Sequence, residues 1–484
     1  MTEAVHAGIS PAASDSSAPV AAENQTPSKL SLGGLAWALF EGARNPYVIL
    51  VTIYVFMPYF STVVVGDPVR GQAAVAAYAM YVGFIVAPTA PLLGASIDKL
   101  GRRKPWLFLC VAGMVPLIWA LWWTRPDRSG LSVNAVIVIA TVINVLFAYS
   151  EVLLNSLLVR AAGLKNVHKA SGLALSLSNF LAVTALIFIM WAFALPGKVP
   201  WSFLPHAPLF GLDPAQHEPD RIVGPISALI FIIGAIPMFL FTPDADRSRV
   251  PVLHAFKDGV MQLWSMVKRL KDHRDAAIFL GSRMLYVDGM TAILFFAGVY
   301  AAGVMKWGAL EMLAYGVSLS VFAVAGGFIG GALDHWLGPK RAVQIELLVT
   351  LVGIAGMLGM APDRIFYFWA YDASAHPPLW NGPLFRTLPE ALYIFIGFFN
   401  AIFITAQYAS SRTLLTRLTP PDQTGVFFGL YALSGTVTLF LGSTLVHVAT
   451  EVFHSQQIGF SMTALLLALG FIGLSFVRGG GREA

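Results

Sequence analysis

Five ionisable residues lie inside or beside long apolar stretches of the chain, where a charge is unusual. They are Glu41, Arg44, Glu151, Arg283 and Asp288. A charged side chain that faces lipid costs at least about 2.5–3.5 kcal/mol at the centre of a membrane helix, so such residues usually face a cavity or a partner. We therefore expect them to mark a binding pathway rather than a random surface.

Asp288 is the strongest candidate for chemistry. It lies near the middle of the apolar stretch 276–303, about 18 Å from the start of a helix that rises 1.5 Å per residue. A carboxylate at that depth is suited to bind a solute or a proton in a central cavity. The alternative is a fixed ion pair between two helices.

Arg283 precedes Asp288 by five residues, about 140° around a helix, so the two do not pair directly on one face. The stretch 132–157 runs in the opposite direction to 276–303, which places Glu151 at a depth similar to that of Arg283. We predict that Arg283 and Glu151 pair in one conformation and separate in another. Two alternatives stay open: Arg283 binds a carboxylate of the solute, or its side chain reaches toward the cytoplasm.

Glu41 and Arg44 are one helical turn apart and can pair with each other. Their depth depends on where the first helix begins. A start near Ser31 places them within the membrane, whereas a start at Pro46 places them at its surface.

Uncharged polar residues in apolar stretches form a second set of candidates. Asn155 and Gln407 can donate hydrogen bonds to a solute, although bonds between helices are the commoner role of such residues. Tyr286 and Tyr431 are candidates to line a cavity, and apolar packing is the alternative for each.

The composition requires a membrane as the solvent. Of 484 residues, 57% are hydrophobic and 12% are charged, whereas soluble domains carry about 25% charged residues. A soluble multidomain protein, a disordered chain and a coiled coil are therefore excluded. The basic residues lie between apolar runs and form no single patch, which argues against a nucleic-acid partner, and the single cysteine excludes a disulfide framework.

Twelve apolar stretches reach the roughly 20 residues that a bilayer-crossing helix needs. They are 46–66, 72–97, 105–124, 132–157, 170–195, 223–242, 276–303, 309–333, 342–361, 389–411, 425–449 and 457–477. Most of the 31 Lys and Arg residues fall in the loops of one side, which by the positive-inside rule places both termini in the cytoplasm.

The fold class predicted is an all-α polytopic membrane protein with two six-helix bundles. The predicted parts are a disordered cytoplasmic tail 1–31, a bundle 32–242, a cytoplasmic linker 243–275 with an amphipathic helix, a bundle 276–478 and a short tail 479–484. An internal repeat supports the two bundles, because Gly94–Asp98 resembles Gly330–Asp334 and Leu157–Arg160 resembles Leu414–Arg417. Two parallel repeats imply two bundles with a path between them.

The loop after the second stretch resembles the signature of the major facilitator superfamily. The matching residues are Gly94, Asp98, Gly101, Arg102 and Arg103. The resemblance implies that this loop, with Asp334 of the second copy, forms a gate that latches the cytoplasmic side. The second copy departs from the signature, because the glycine after Asp334 is Gly338, one residue later than the signature requires.

Within the superfamily, four further stretches resemble the vacuole-effluxer-like branch. They are Trp37–Asn45, Gly101–Trp106, Tyr286–Gly289 with Tyr300–Val304, and Phe427–Gly435. The resemblance implies a secondary transporter for amino acids or similar small polar solutes in the export direction. Asp288 and Glu151 fit protons as the candidate coupling ion. The resemblance also favours a cavity position for Glu41, Arg44 and Asn45.

Three readings of function compete. A secondary transporter is favoured, and Gly101–Trp106 also resembles a glycoside–cation symporter branch, which makes a sugar carrier the alternative. A non-transporting sensor or scaffold on the same fold is the alternative of another class. No hydrolase, metalloprotease or nucleotide-binding motif is present, so we expect no enzyme, no cofactor and no metal site. The expected partners are a small solute, protons and the lipid bilayer, for a monomer in a bacterial cytoplasmic membrane.

Overall fold

The computed structural model describes residues 30–163, 166–199, 201–244, 252–419, 424–435 and 438–479. Most of the predicted tail 1–31, and residues 480–484 of the other tail, lie outside the described residues. Helices dominate the described part. Its only strands form a short antiparallel hairpin of β1 (Arg364–Ile365) and β2 (Trp369–Ala370) in the loop before the tenth spanning helix.

Twelve spanning helices form two six-helix bundles within the described residues, as predicted. The first half contains α1 (Leu32–Val64), α2 (Pro68–Leu100), α3 (Lys104–Ala120), α4 (Val133–Ala162), α5 (Val167–Ile189) and α6 (Val223–Phe241). The second half contains α7 (Arg274–Val304), α8 (Ala309–Leu337), α9 (Pro339–Leu358), α10 (Leu388–Leu418), α11a (Thr424–Ser434), α11b (Leu439–Phe453) and α12 (Gln456–Ser475).

Short helical turns connect or extend these helices. They are π-helical turns at Tyr47–Tyr54 and Phe60–Val64 within α1 and at Met190–Ala194 after α5, an α-helical turn at Glu218–Arg221, and 3-10 turns at Leu121–Trp123, Leu209–Gly211, Pro214–Gln216 and Leu270–Asp272. A linker helix, Val252–Arg269, lies between the halves, and its Gly259 packs against Ser96 of α2. The predicted boundaries of the bundles and the linker stay predictions.

The first helix begins well before the predicted residue 46. Ser31 caps it, because the Ser31 Oγ accepts the Gly34 N–H at 3.0 Å, which satisfies a backbone donor that the first helical turn leaves free. Pro46 has no N–H to donate, yet it does not end the helix, because the chain widens into π-helical turns directly after it. Glu41 and Arg44 therefore lie inside the span.

The second correction concerns the eleventh span, which was predicted to be continuous over 425–449. The helix instead stops at Ser434 and resumes at Leu439. Gly435 and Thr438, the described residues between the two helices, have lower helix propensity than the leucines around them. Eleven of the spans in the described part are long and apolar enough to cross a membrane alone, and α11b adds a shorter apolar helix.

The two halves are joined at one end of the molecule, here called the seam face, where α1 ends and α2 begins. The Gln72 Nε2 of α2 donates to the Thr450 Oγ1 of α11b at 2.9 Å and to the Gln456 carbonyl at 3.0 Å. Tyr54 of α1 packs edge-on against Tyr315 of α8, with ring centroids 6.3 Å apart.

The opposite end, here called the terminal face, is where α1 begins and α12 ends. Gly172 of α5 and Gly327 and Gly331 of α8 lie in the half of the molecule near this face. A Cβ atom added at any of the three would meet no described atom within 4 Å. Open space therefore flanks α5 and α8 near the terminal face, whereas the hydrogen bonds of Gln72 between the halves lie at the seam face.

Candidate functional site

A cavity of about 230 Å³ lies between the two halves near the middle of the spans. Its wall on the first half comes from α1, α2 and α4, and its wall on the second half comes from α7 and α11b. Glu151 of the first half and Asp288 of the second half lie in this wall, together with Tyr78, Phe147 and Phe295. The cavity is therefore shared between the bundles, with one carboxylate contributed by each.

Glu151 of α4 is open to this space, with 53% of its side chain exposed. Its nearest cation is Arg44 of α1, whose Nη2 lies 3.9 Å from the Glu151 Oε2. The Arg44 Nη1 is held more tightly by Glu41, whose Oε2 lies at 2.7 Å. Two carboxylates therefore share one guanidinium, and the cluster carries an excess negative charge when both carboxylates are ionised.

Arg44 is 2% exposed and is fixed from several directions. Its Nη2 donates to the Phe147 carbonyl at 3.1 Å, and its guanidinium carbon lies 4.2 Å from the centroid of the Phe147 ring. A guanidinium that stacks on an aromatic ring while it donates to oxygens is well satisfied in a low-dielectric interior. Arg44 thus ties α1 to α4 on the wall of the cavity.

Asp288 of α7 is 3% exposed and lines the same cavity. Its Oδ2 accepts the backbone N–H of Gly442 at 2.7 Å. Gly442 lies in the first turn of α11b, where backbone N–H groups lack helical partners and the helix dipole is positive. Among the described residues, no Lys, Arg or His side chain forms an ion pair with Asp288.

Arg283 does not contact Glu151 in this conformation. Its Nη1 donates to the Tyr431 carbonyl and to the Ser434 Oγ, each at 2.7 Å. Its guanidinium carbon lies 3.4 Å from the centroid of the Tyr431 ring. In this conformation Arg283 contacts α11a within the second half instead of Glu151. Arg44 is the cation nearest to Glu151.

The break in α11 explains why α7 carries two charges that do not pair. Arg283 binds the last turn of α11a, where unpaired carbonyl groups give a partial negative charge, and Asp288 binds the first turn of α11b, where the partial charge is positive. Between them, the Thr438 Oγ1 donates to the Met284 carbonyl at 2.9 Å. Each charge of α7 therefore complements one end of a broken helix.

Of the remaining polar candidates, two form contacts between helices, one is exposed and two are buried away from the cavity. The Asn45 Nδ2 donates to the Ser178 carbonyl of α5 at 2.9 Å, and the Tyr286 hydroxyl lies 2.9 Å from the Ser411 Oγ of α10. Asn155 is exposed on α4, one turn beyond Glu151. Gln407 and Tyr431 are buried in the second half and are not part of the cavity wall. Their proposed roles in binding stay predictions.

Two buried groups escaped the sequence analysis. Glu346 of α9 is fully buried; its Oε1 accepts from the Ser410 Oγ at 2.8 Å, and its Oε2 has no partner among the described residues. Tyr78 of α2 is 1% exposed, lines the cavity and has no described partner for its hydroxyl. An acid inside the predicted stretch 342–361 was the available signal for Glu346, whereas tyrosines are too common in such helices to single one out.

The loop with the superfamily signature joins three helices at the terminal face. Arg103 is 6% exposed; its backbone N–H donates to the Asp244 Oδ1 at 2.8 Å, and its Nη1 donates to the Ser156 carbonyl at 2.5 Å. Gly101 has φ of +77°, which a glycine adopts without strain. Gly94 and Arg102 are exposed.

The two acids of the predicted gate are less fully defined. The side chain of Asp98 lies outside the described residues, and the Asp334 Oδ1 of α8 is buried without a described hydrogen-bond partner. Gating by this loop stays a prediction.

Relatives of the chain are fungal and bacterial. It is 22% identical to Autophagy-related protein 22 of Kluyveromyces lactis over 280 residues, which cover 54% of this chain and 53% of that protein. It is 21% identical to the uncharacterized MFS-type transporter YxiO of Bacillus subtilis over 462 residues, 91% of this chain and 94% of that protein. The chain thus spans only about half of the fungal relative.

Solved structures of transporters share the fold. The nucleoside transporter NupG, in its D323A mutant, superposes with a TM-score of 0.60 at 13% identity, covering 92% of this chain and 98% of that one. A D-xylose–proton symporter superposes with a TM-score of 0.60 at 11% identity, covering 93% and 97%. At these identities the likeness establishes the fold alone.

The match to a known family covers most of the molecule. Residues 63–480 match the family described as "Vacuole effluxer Atg22 like", and this range contains Glu151, Arg283 and Asp288. The family and the structural neighbours are transporters rather than enzymes. The chain therefore belongs to the vacuole effluxer Atg22-like family and has the fold of major facilitator superfamily transporters.

Proposed function

We propose that the protein is a secondary active transporter that moves a small polar solute, an amino acid or a similar metabolite, by alternating access. The observation that carries the proposal is the cavity between the two halves, in which Glu151 comes from one half and Asp288 from the other. A site shared by two bundles near the middle of the membrane is where carriers of this architecture bind their solutes. The hydrogen bonds between the halves at the seam face support a conformation closed on that side.

Export and proton coupling are the finer parts of the proposal. Glu151 and Asp288 are carboxylates on the wall of one cavity, and each can exchange a proton with water that enters it. We also propose that the protein is a monomer in a bacterial cytoplasmic membrane. The Bacillus subtilis relative is bacterial, whereas the family description names a vacuole effluxer.

A flux experiment tests the proposal. The purified chain is reconstituted into vesicles, a pH gradient is imposed, and the movement of radiolabelled amino acids, sugars and nucleosides is measured in parallel. We expect amino-acid flux that the gradient accelerates, and loss of that acceleration in Asp288→Asn. Glu311→Gln is the matched control, because Glu311 caps the start of α8 through the Gly308 N–H, far from the cavity.

The other outcomes separate the alternatives. Flux of sugars without amino acids would replace the proposal by a sugar–cation carrier. Absence of flux for every solute, from protein that inserts and folds, would favour a sensor or scaffold.

A further inference from the structure

We infer that the central cavity recognises the ammonium group of its solute, and that a carboxylate on the solute is not required for binding. The inference rests on the proposed transport function and names the chemical class of the solute: an amine, with or without a carboxylate. It follows from the charges, the unpaired hydroxyl and the aromatic side chains that the cavity presents.

The charges around the cavity are unbalanced. Glu151 and Asp288 lie in its wall. Glu41 is not part of the wall, but it pairs with the same arginine as Glu151. Arg44 is the cation nearest to Glu151, and it is held at 2.7 Å by Glu41 and at 3.9 Å by Glu151. One guanidinium therefore faces two carboxylates on the first half, and Asp288 adds a further negative charge from the second half.

The second cation of the spans is occupied elsewhere. Arg283 binds the Tyr431 carbonyl and the Ser434 Oγ at the end of α11a, and it is not part of the cavity wall. Among the described residues that line the cavity, none is a lysine, an arginine or a histidine. A carboxylate of a solute would thus enter a space with excess negative charge and no lining cation, which disfavours its binding.

The cavity wall also contains a polar group that can accept a hydrogen bond from an ammonium group. Tyr78 is 1% exposed and lines the cavity, yet its hydroxyl has no partner among the described residues. A buried hydroxyl without a partner costs free energy unless something satisfies it, and an ammonium group supplies three donors. Phe147 and Phe295 also line the space, and aromatic side chains attract cations through their ring electrons.

The size of the cavity suits a small amine. Its volume of about 230 Å³ corresponds to roughly seven or eight waters, at about 30 Å³ each in the liquid. An ammonium group in this space would lie in a cavity to which each half contributes one carboxylate. This arrangement links occupancy of the cavity to the distance between the bundles.

Matched sets of solutes test the inference on the full chain purified in detergent. The first set is leucine, isopentylamine (leucine without its carboxylate) and isocaproate (leucine without its amine). The second is phenylalanine, phenethylamine and hydrocinnamate. Because a ligand stabilises the state that it binds, the melting temperature is measured against the concentration of each solute.

We expect at least one of the two amines to raise the melting temperature at concentrations similar to those of its amino acid, and neither acid to do so. A rise with an acid but not with its amine overturns the inference, and so does a rise with the amino acid alone or with none of the six solutes. If amino acids move in the flux experiment while neither amine binds, the ammonium inference fails and the proposed transport function stands.

Variants locate the binding. Glu151→Gln keeps the size of a side chain that is open to the cavity and removes its charge, so we expect the amine to bind at least roughly tenfold more weakly, a loss of about 1.4 kcal/mol. Glu311→Gln removes a carboxylate outside the cavity and should leave the amine affinity unchanged. Unchanged amine affinity in Glu151→Gln, with the variant folded at the wild-type melting temperature, overturns the assignment of the site.

Discussion

Arg44 and Arg283 show at the scale of single residues how differently two arginines in apolar helices are used. Arg44 pairs with carboxylate side chains and stacks on Phe147, whereas Arg283 donates a hydrogen bond to the last turn of α11a. The sequence predicted that both need partners, because a charge in lipid is costly. It could not predict most of the partners, because these depend on how each helix is rotated in the bundle. Spacing along the chain indicates a partner only for Glu41 and Arg44, which lie one turn apart on the same helix.

Replacing Arg44 should destabilise the protein. Arg44→Ala leaves Glu41 and Glu151 without their shared cation. Removal of one partner of a fully buried pair costs about 3–5 kcal/mol of the free energy of unfolding, and the cost here is smaller because the Glu41 and Glu151 side chains are 29% and 53% exposed. Thermal denaturation of the purified variant should therefore show a clear fall in apparent melting temperature. Arg412→Ala, at an exposed position of α10, is the control and should melt as the wild type does. Equal melting of both variants would contradict the role given to Arg44.

At the scale of elements, the glycines of α8 show what a spacing pattern leaves open. Gly326 and Gly330 form one small-residue pair, and Gly327 and Gly331 form a second with the same spacing. Only the first pair packs closely: a Cβ atom on Gly326 would lie 2.3 Å from the Ile402 carbonyl of α10, whereas one on Gly327 meets nothing within 4 Å. The pattern predicted close helix approach, but which face of α8 meets a neighbour is decided by tertiary packing.

Alanine substitutions at these neighbouring positions should have opposite outcomes. Gly326→Ala forces α8 away from the α10 backbone, which cannot rotate aside as a side chain can, so it should lower the melting temperature and the yield of folded protein. Gly327→Ala adds the same methyl group to open space and should be tolerated. Similar losses in both variants would show that α8 needs glycine for reasons other than its contact with α10.

At the scale of the whole molecule, twelve spans and two bundles could be predicted because their lengths and hydropathy are set by the bilayer. The conformation could not, since the proposed transport by alternating access needs the same sequence to form a second conformation. The break in α11 lies between these cases. Gly435 signalled a weak point, while the contacts of Arg283 and Asp288 with the two helix ends depend on tertiary packing.

A cross-link across the seam face should arrest transport. Gln72 and Thr450 are fully buried and hydrogen-bonded to each other between the halves, so Gln72→Cys with Thr450→Cys places two thiols together in this conformation. The native Cys110 is buried on α3, and Cys110→Ala removes it from the background. Oxidation should abolish vesicle flux and a reductant should restore it, whereas each single-cysteine variant should keep its flux. Full flux in the oxidised double variant would show that the seam face need not separate.

The bond from Gly442 to Asp288 has a consequence for the order of events in a transport cycle. The carboxylate that binds α11b also lines the cavity, so the proposed amine would compete with a backbone amide for the same carboxylate group. The contacts of Arg283 with α11a lie outside the cavity wall in this conformation. Binding of the solute would thus weaken the contact between α7 and α11b and leave the contact between α7 and α11a in place.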